Sequence, residues 1–174
     1  ERERKKTLRS YAATYLQQEV QAEALTRNIE GFARFLRITA VCAGTFLDLS
    51  KLASEAMVPR QTAARFFDIL EETLIAHRIE AFTRSERRRL VQHPRYFFFD
   101  NGVLNGLMGD YAVSGDRIGM LFENFVASQI YHTAHAHGHS VRISSYRTEH
   151  GAEVDLIIER EGKVWAVELK ASTN

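Results

Sequence analysis

Two carboxylates and a lysine near the end of the chain carry the strongest chemical signal. The segment EVDLIIEREGKVWAVELKA, residues 153–171, alternates polar and apolar residues on both sides of Glu161-Gly162. A two-residue turn there makes a β-hairpin that sets Asp155 opposite Glu168 and Glu153 opposite Lys170. Side chains alternate along a strand, so Asp155, Glu168 and Lys170 share one face. Val154, Leu156, Ile158, Trp165, Val167 and Leu169 form the other, which reads as core. Directly opposed Cβ atoms lie about 4.5–5.5 Å apart, close enough for two carboxylates to grip one divalent cation. Without a cation they repel. Lys170 beside them can hold a phosphate oxygen or the attacking water, the equipment of metal-assisted phosphodiester hydrolysis. The same alternation also describes a solvated hairpin face, with Glu153–Lys170 as a weak surface pair.

The elements that must position this hairpin come before it. The charged opening ERERKKTLR reads as a solvated tail, followed by a helix from Ser10 to Thr26. Residues 28–43 repeat the helical period, with Ile29, Phe32, Leu36, Ala40 and Ala43 on one stripe, and Gly44 ends them. Asp48 or Ser50 can cap a short helix through Ala56, and Pro59 opens a third. That third helix buries Ala63, Phe66, Phe67, Leu70 and Leu74. Strands at Ile79–Thr83 and Tyr96–Phe99 flank a charged turn, SERRR. Helix, short helix, helix and hairpin is the order of a winged helix-turn-helix. Five glycines between residues 102 and 119 mark a boundary. Ile118 to about His132 reads as a helix with Phe122, Phe125, Val126 and Ile130 apolar, ahead of strands at 141–147, 153–159 and 163–171.

Composition narrows the classes. The chain has 174 residues, 45% hydrophobic and 26% charged, which supports a packed core. Its net charge of +1 hides an asymmetry: residues 1–99 hold 17 Lys+Arg against 12 Asp+Glu, and residues 100–174 hold 6 against 10. A basic front suits a polyanion, and an acidic back suits a cation. No apolar run reaches the ~20 residues of a membrane helix, and no signal peptide opens the chain. Neither a G-x-x-x-x-G-K loop nor a G-x-G-x-x-G is present. The single Cys42, read as a core residue, excludes an internal disulfide framework, and the expected location is cytoplasmic. The chain does not begin with Met, and it is expected to be a piece of a longer protein.

The arrangement Asp155, Glu168-Leu169-Lys170 resembles the PD-(D/E)XK restriction-endonuclease-like superfamily. LFENFV (121–126), SSYRTEHGAEVDLII (144–158) and AVELKAS (166–172) look like the uncharacterised domain that follows an AAA+ ATPase module in many bacterial and archaeal proteins. TRNIEGFARFLRITA (26–40), LEETLI (70–75) and HPRYFFFDNGV (93–103) are similar to its winged-helix part. The resemblance implies a Mg²⁺- or Mn²⁺-dependent endonuclease. Asp155 and Glu168 would be metal ligands, Glu123 the first-helix acid that completes the site, and Lys170 the residue that orients the nucleophile. It also implies an ATPase partner, with ATP bound only on that separate module, and a nuclease fold truncated at its C-terminus. Arg147 reads either as a phosphate contact or as an ordinary exposed arginine.

The expected fold class is therefore α/β (α+β), in three parts. Residues 1–26 are a lead-in, 27–99 a winged helix-turn-helix, and 100–174 a truncated restriction-endonuclease-like core. The helix-turn-helix offers Arg60, Gln61 and Arg65 to DNA, and its wing offers Arg84, Arg87, Arg88, Arg89 and, further on, Arg95. Nucleic acid is the expected partner, no membrane is expected, and homo-oligomers are allowed. The rival reading is a non-catalytic DNA- or protein-binding module of the ATPase. His135, His137 and His139 could share a face for a transition metal, although such a stretch is more often a polar loop.

Overall fold

In the computed structural model the described residues are 2–11, 28–82, 93–148 and 150–171. The expected lead-in helix lies mostly outside them, and Arg84, Arg87, Arg88 and Arg89 lie wholly outside them. Six helices and a five-stranded mixed sheet are seen among the described residues, the α/β class expected.

The charged opening is not a tail. Residues Arg2–Ser10 form α1, which packs on the helix Asn101–Met108, and Tyr111 Oη in the loop after that helix donates to the Lys5 carbonyl at 3.1 Å. α2 (Ile29–Val41) begins where the Asn28 side chain accepts from the Gly31 amide at 2.9 Å. It ends before Gly44, whose φ of 72° needs glycine. Asp48 caps α3 (Leu49–Glu55) by accepting from the Ser50 and Lys51 amides at 2.8 and 3.2 Å. Pro59 precedes α4 (Arg60–Glu72). Phe32, Phe35, Phe66 and Phe67 interlock edge-to-face, with centroids 4.7–5.2 Å apart. They form the centre of the larger core. Leu74, expected on this buried face, is 61% exposed. The helix has already ended, and Leu74 turns outward with a φ of 59°.

β1 (Ala76–Ala81) and β2 (Arg95–Phe98) pair antiparallel, as a wing would. They do not stand apart. β1 also pairs in parallel with β3 (Arg142–Arg147), through Glu80–Ser144 and Ala81–Ser145. β3, β4 (Glu153–Arg160) and β5 (Lys163–Val167) continue antiparallel, giving the order β2-β1-β3-β4-β5. One sheet thus joins both halves of the chain.

Between β2 and β3 come α5 (Asn101–Met108), capped by Asp100, and α6 (Ile118–Ala136). α6 turns Leu121, Asn124, Ala127, Ser128 and Ala134 inward. Phe122 and Phe125, read as apolar positions of this helix, are exposed. The reason lies on β2, the edge strand. The Asn124 side chain accepts from the Phe98 amide at 2.7 Å and donates to the Phe98 carbonyl at 2.9 Å, both bonds buried. Closing that backbone edge fixes the helix phase, and the two phenylalanines fall outside it.

Candidate functional site

The hairpin has the register its sequence predicts. Leu156–Val167, Ile157–Ala166, Ile158–Trp165, Glu159–Val164 and Arg160–Lys163 are paired. The turn residues Glu161 and Gly162 have φ of 51° and 77°, the left-handed pair of a type I′ turn. The paired ladder stops at Val167, one step before Asp155 and Glu168. There the Asp155 side chain takes over from backbone pairing: its Oδ2 accepts from the Leu169 amide at 2.7 Å. Glu168 and Lys170 are exposed on either side of Leu169, which packs inward. Glu153 pairs with Arg147 on the other neighbouring strand, at 3.7 Å.

Behind Asp155 lies an arginine that its sequence context hides. Arg95 was expected among the wing arginines facing DNA, but it is 3% exposed. Its Nη1 donates to the Asp155 carbonyl at 3.0 Å, its Nη2 to Glu123 Oε2 and its Nε to the Gly44 carbonyl. The guanidinium lies 5.0 Å from the Phe97 ring and 5.5 Å from Phe46, and Arg147 covers Phe46 at 5.3 Å. Gly44 belongs to this site through its carbonyl, and a Cβ there would lie in ordinary contact with Phe97 and Glu123.

Glu123 is therefore held by an arginine. Burial pushes its carboxyl up from the ordinary range, and the Asp155 and Glu153 charges add to that. The Arg95 guanidinium opposes the rise by its charge and its hydrogen bond. Glu123 and Asp155 thus feel each other across Arg95. Among the described residues, no three His, Cys, Asp or Glu side chains are grouped to hold a metal ion. The donor chemistry still suits a hard divalent cation, being carboxylate oxygen throughout. Asp155 and Glu168 are the pair that would hold such an ion; Glu123 would have to give up Arg95 to join them.

The nucleic-acid candidates on α4 are accessible. Arg60, Gln61 and Arg65 are all exposed. Arg65 is drawn along its own helix toward Asp68 and Glu72, at 3.7 and 3.3 Å. His135, His137 and His139, read more as a polar loop than as a shared face, straddle the end of α6: His135 lies on the helix, and His137 and His139 follow it.

With this geometry in hand, comparison with known proteins places the chain. Residues 1–113 match the model of a domain of unknown function, DUF8612, which covers more than half of the chain. The chain belongs to that family. Behind the DUF8612 part, residues 118–174 match a second domain of unknown function, DUF4143. The acids of the hairpin and Glu123 lie in the DUF4143 match, while Arg95 lies in the DUF8612 part. Similar curated proteins are "Uncharacterized protein Mb2031c" of Mycobacterium bovis and "Uncharacterized protein Rv2008c" of Mycobacterium tuberculosis. Each is 23% identical over 167 residues, covering 94% of this chain. The chain spans 37% of the length of these relatives. No solved structure matches it.

Proposed function

We propose that this chain is the nucleic-acid-processing part of an ATPase protein, a winged helix joined to a metal-dependent phosphodiester hydrolase of the PD-(D/E)XK type. The observation that carries the reading is the hairpin register. Extended by one pair, it sets Asp155 against Glu168, with Lys170 next in line on the same face. Asp155 and Glu168 would hold Mg²⁺ or Mn²⁺. Lys170 would orient the attacking water, and the Leu169 amide fixes the Asp155 carboxylate in place beforehand. A bound ion would supply Lewis-acid stabilisation of the phosphate charge and a more acidic water. Exposed Arg60, Gln61 and Arg65 on α4 would contact the DNA. The resemblance supplies the ATPase, as a module outside this chain.

The second reading, a non-catalytic DNA- or protein-binding module, is favoured by one observation: the Arg95–Glu123 pair already gives the third acid a cation.

The deciding experiment is a calorimetric titration of Mg²⁺ and Mn²⁺ into wild type and Asp155→Asn, followed by cleavage assays on the longer, ATPase-containing protein. The hydrolase reading expects saturable binding that falls at least tenfold in Asp155→Asn, and cleavage lost in both Asp155→Asn and Lys170→Ala. No metal binding, with DNA affinity unchanged by Asp155→Asn, would hand the chain to the second reading.

A further inference from the structure

Two turns further along α6 than Phe125, a second group of side chains meets outside the carboxylate site. His77, on β1, is 7% exposed and lies flat against Tyr131 of α6, with ring centroids 3.8 Å apart. Tyr131 in turn stacks on His135 at 4.5 Å. His132 approaches His77 edge-on: the planes cross at 80° and the centroids are 5.5 Å apart. The two Nε2 atoms face each other at 3.5 Å.

That separation is poor for a hydrogen bond, since N–H donors normally approach their acceptors to 2.7–3.2 Å. It is good for a shared metal. Two imidazoles on a tetrahedral ion with bonds of about 2.0–2.1 Å hold their nitrogens roughly 3.3–3.4 Å apart. The centroid spacing agrees. Were both Nε2 lone pairs aimed at one point, the two spacings would put that point about 2.0 Å from each Nε2. Tyr131 already fixes the plane of the His77 ring, so little ordering is left for an ion to impose. His77 and Tyr131 also line a cavity of about 240 Å³, which leaves unfilled volume beside His77.

We propose that His77 and His132 form a binding site for a borderline transition-metal ion such as Zn²⁺ or Ni²⁺, its remaining positions open to water or an exogenous ligand. Imidazole nitrogen selects these ions over Mg²⁺, so the site is independent of the carboxylate site and of its reading. Histidines 137 and 139, past the end of α6, are the rival ligands.

The test titrates Zn²⁺ and Ni²⁺ into the 174-residue chain by calorimetry at pH 7.5, alongside His132→Ala, His77→Phe and the double variant His137→Ala/His139→Ala. One equivalent should bind to wild type and to the double variant with affinities within about twofold. His132→Ala and His77→Phe should each weaken it at least tenfold while keeping the wild-type circular dichroism. Absence of binding to wild type overturns the proposal, as does loss only in the double variant. Should either single variant misfold, the histidine ring signals of wild type decide by NMR. Traces of Ni²⁺ must broaden His77 and His132 ahead of His137 and His139, and the reverse order overturns the assignment.

Discussion

Arg95 Nη1 donates to the main-chain carbonyl of Asp155 at 3.0 Å, so the strand that carries the central acid is anchored on the first residue of β2. The same guanidinium holds Glu123 and the Gly44 carbonyl, and so ties α6, β4 and the loop after α2 to one point. Removing one partner of a largely buried pair leaves the other charge uncompensated. Arg95→Met is expected to destabilise the chain by about 3 kcal/mol in urea denaturation. Adding Glu123→Leu should restore part of that loss. If the double variant is as unstable as the sum of the singles, the pair does not act as a unit.

At Asp155 structure and chemistry can be separated, because asparagine keeps an acceptor oxygen for the Leu169 amide while alanine does not. Asp155→Ala is expected to cost about 1–2 kcal/mol, the penalty of an unsatisfied, part-buried donor. Asp155→Asn should cost well under half of that. Equal destabilisation by both variants would mean that the charge, rather than the hydrogen bond to Leu169, steadies the end of the hairpin.

Asn124 serves the sheet edge. Its amide satisfies both polar groups of the Phe98 backbone and donates to Asn101 Oδ1 at 2.9 Å. Asn124→Leu keeps the branching at Cγ, though it is bulkier, and orphans a buried N–H and C=O, for an expected loss of about 2–4 kcal/mol. Hydrogen exchange at the Phe98 amide should accelerate more than at core amides of α2. Uniform acceleration would point to global loosening instead.

What could be read from the sequence was local. The hairpin register followed from Glu161-Gly162 and the alternation beside it, and the order of α2, α3 and α4 followed from Asp48, Pro59 and the apolar stripes. Arg95 was hidden because its partners lie 28, 51 and 60 positions away. An arginine near a basic turn reads as surface unless the buried Tyr96-Phe97-Phe98 run after it is given weight. Asn124 left a fainter trace: a polar residue at the inward phase of Leu121 and Ala127. His77 and His132 are 55 residues apart, and the histidines that stand out in the sequence, at 135, 137 and 139, read there as a polar loop more than as a metal face.

Glu161 holds a left-handed conformation without the side chain that favours it. Asparagine tolerates that region far better, and Asn-Gly is the preferred pair for this turn. Glu161→Asn is expected to stabilise the chain by about 0.5 kcal/mol, since the exposed Arg160–Glu161 pair it sacrifices contributes little. A lowered melting temperature would show that the pair matters more than the turn.

Burial, with the neighbouring His132 and His135 charges adding to it, lowers the His77 pKa from 6.5 to about 4. The unfolded chain therefore takes up a proton near pH 6.5 that the folded chain refuses until about pH 4. The His77 contribution to stability is complete above pH 6.5 and is lost as pH falls toward 4, by about 3 kcal/mol over that span. Carboxylates titrate over the lower part of the same range, so the His77 share is the difference between wild type and a variant that cannot take the proton. His77→Phe keeps a ring against Tyr131 and removes the titration. Urea denaturation at pH 7.5, 5.5 and 4.5 should show wild type losing more stability than His77→Phe at each acid step. Parallel losses in the two proteins would mean that the folded chain protonates His77 as readily as the unfolded chain does, against the burial that its contacts with Tyr131 impose.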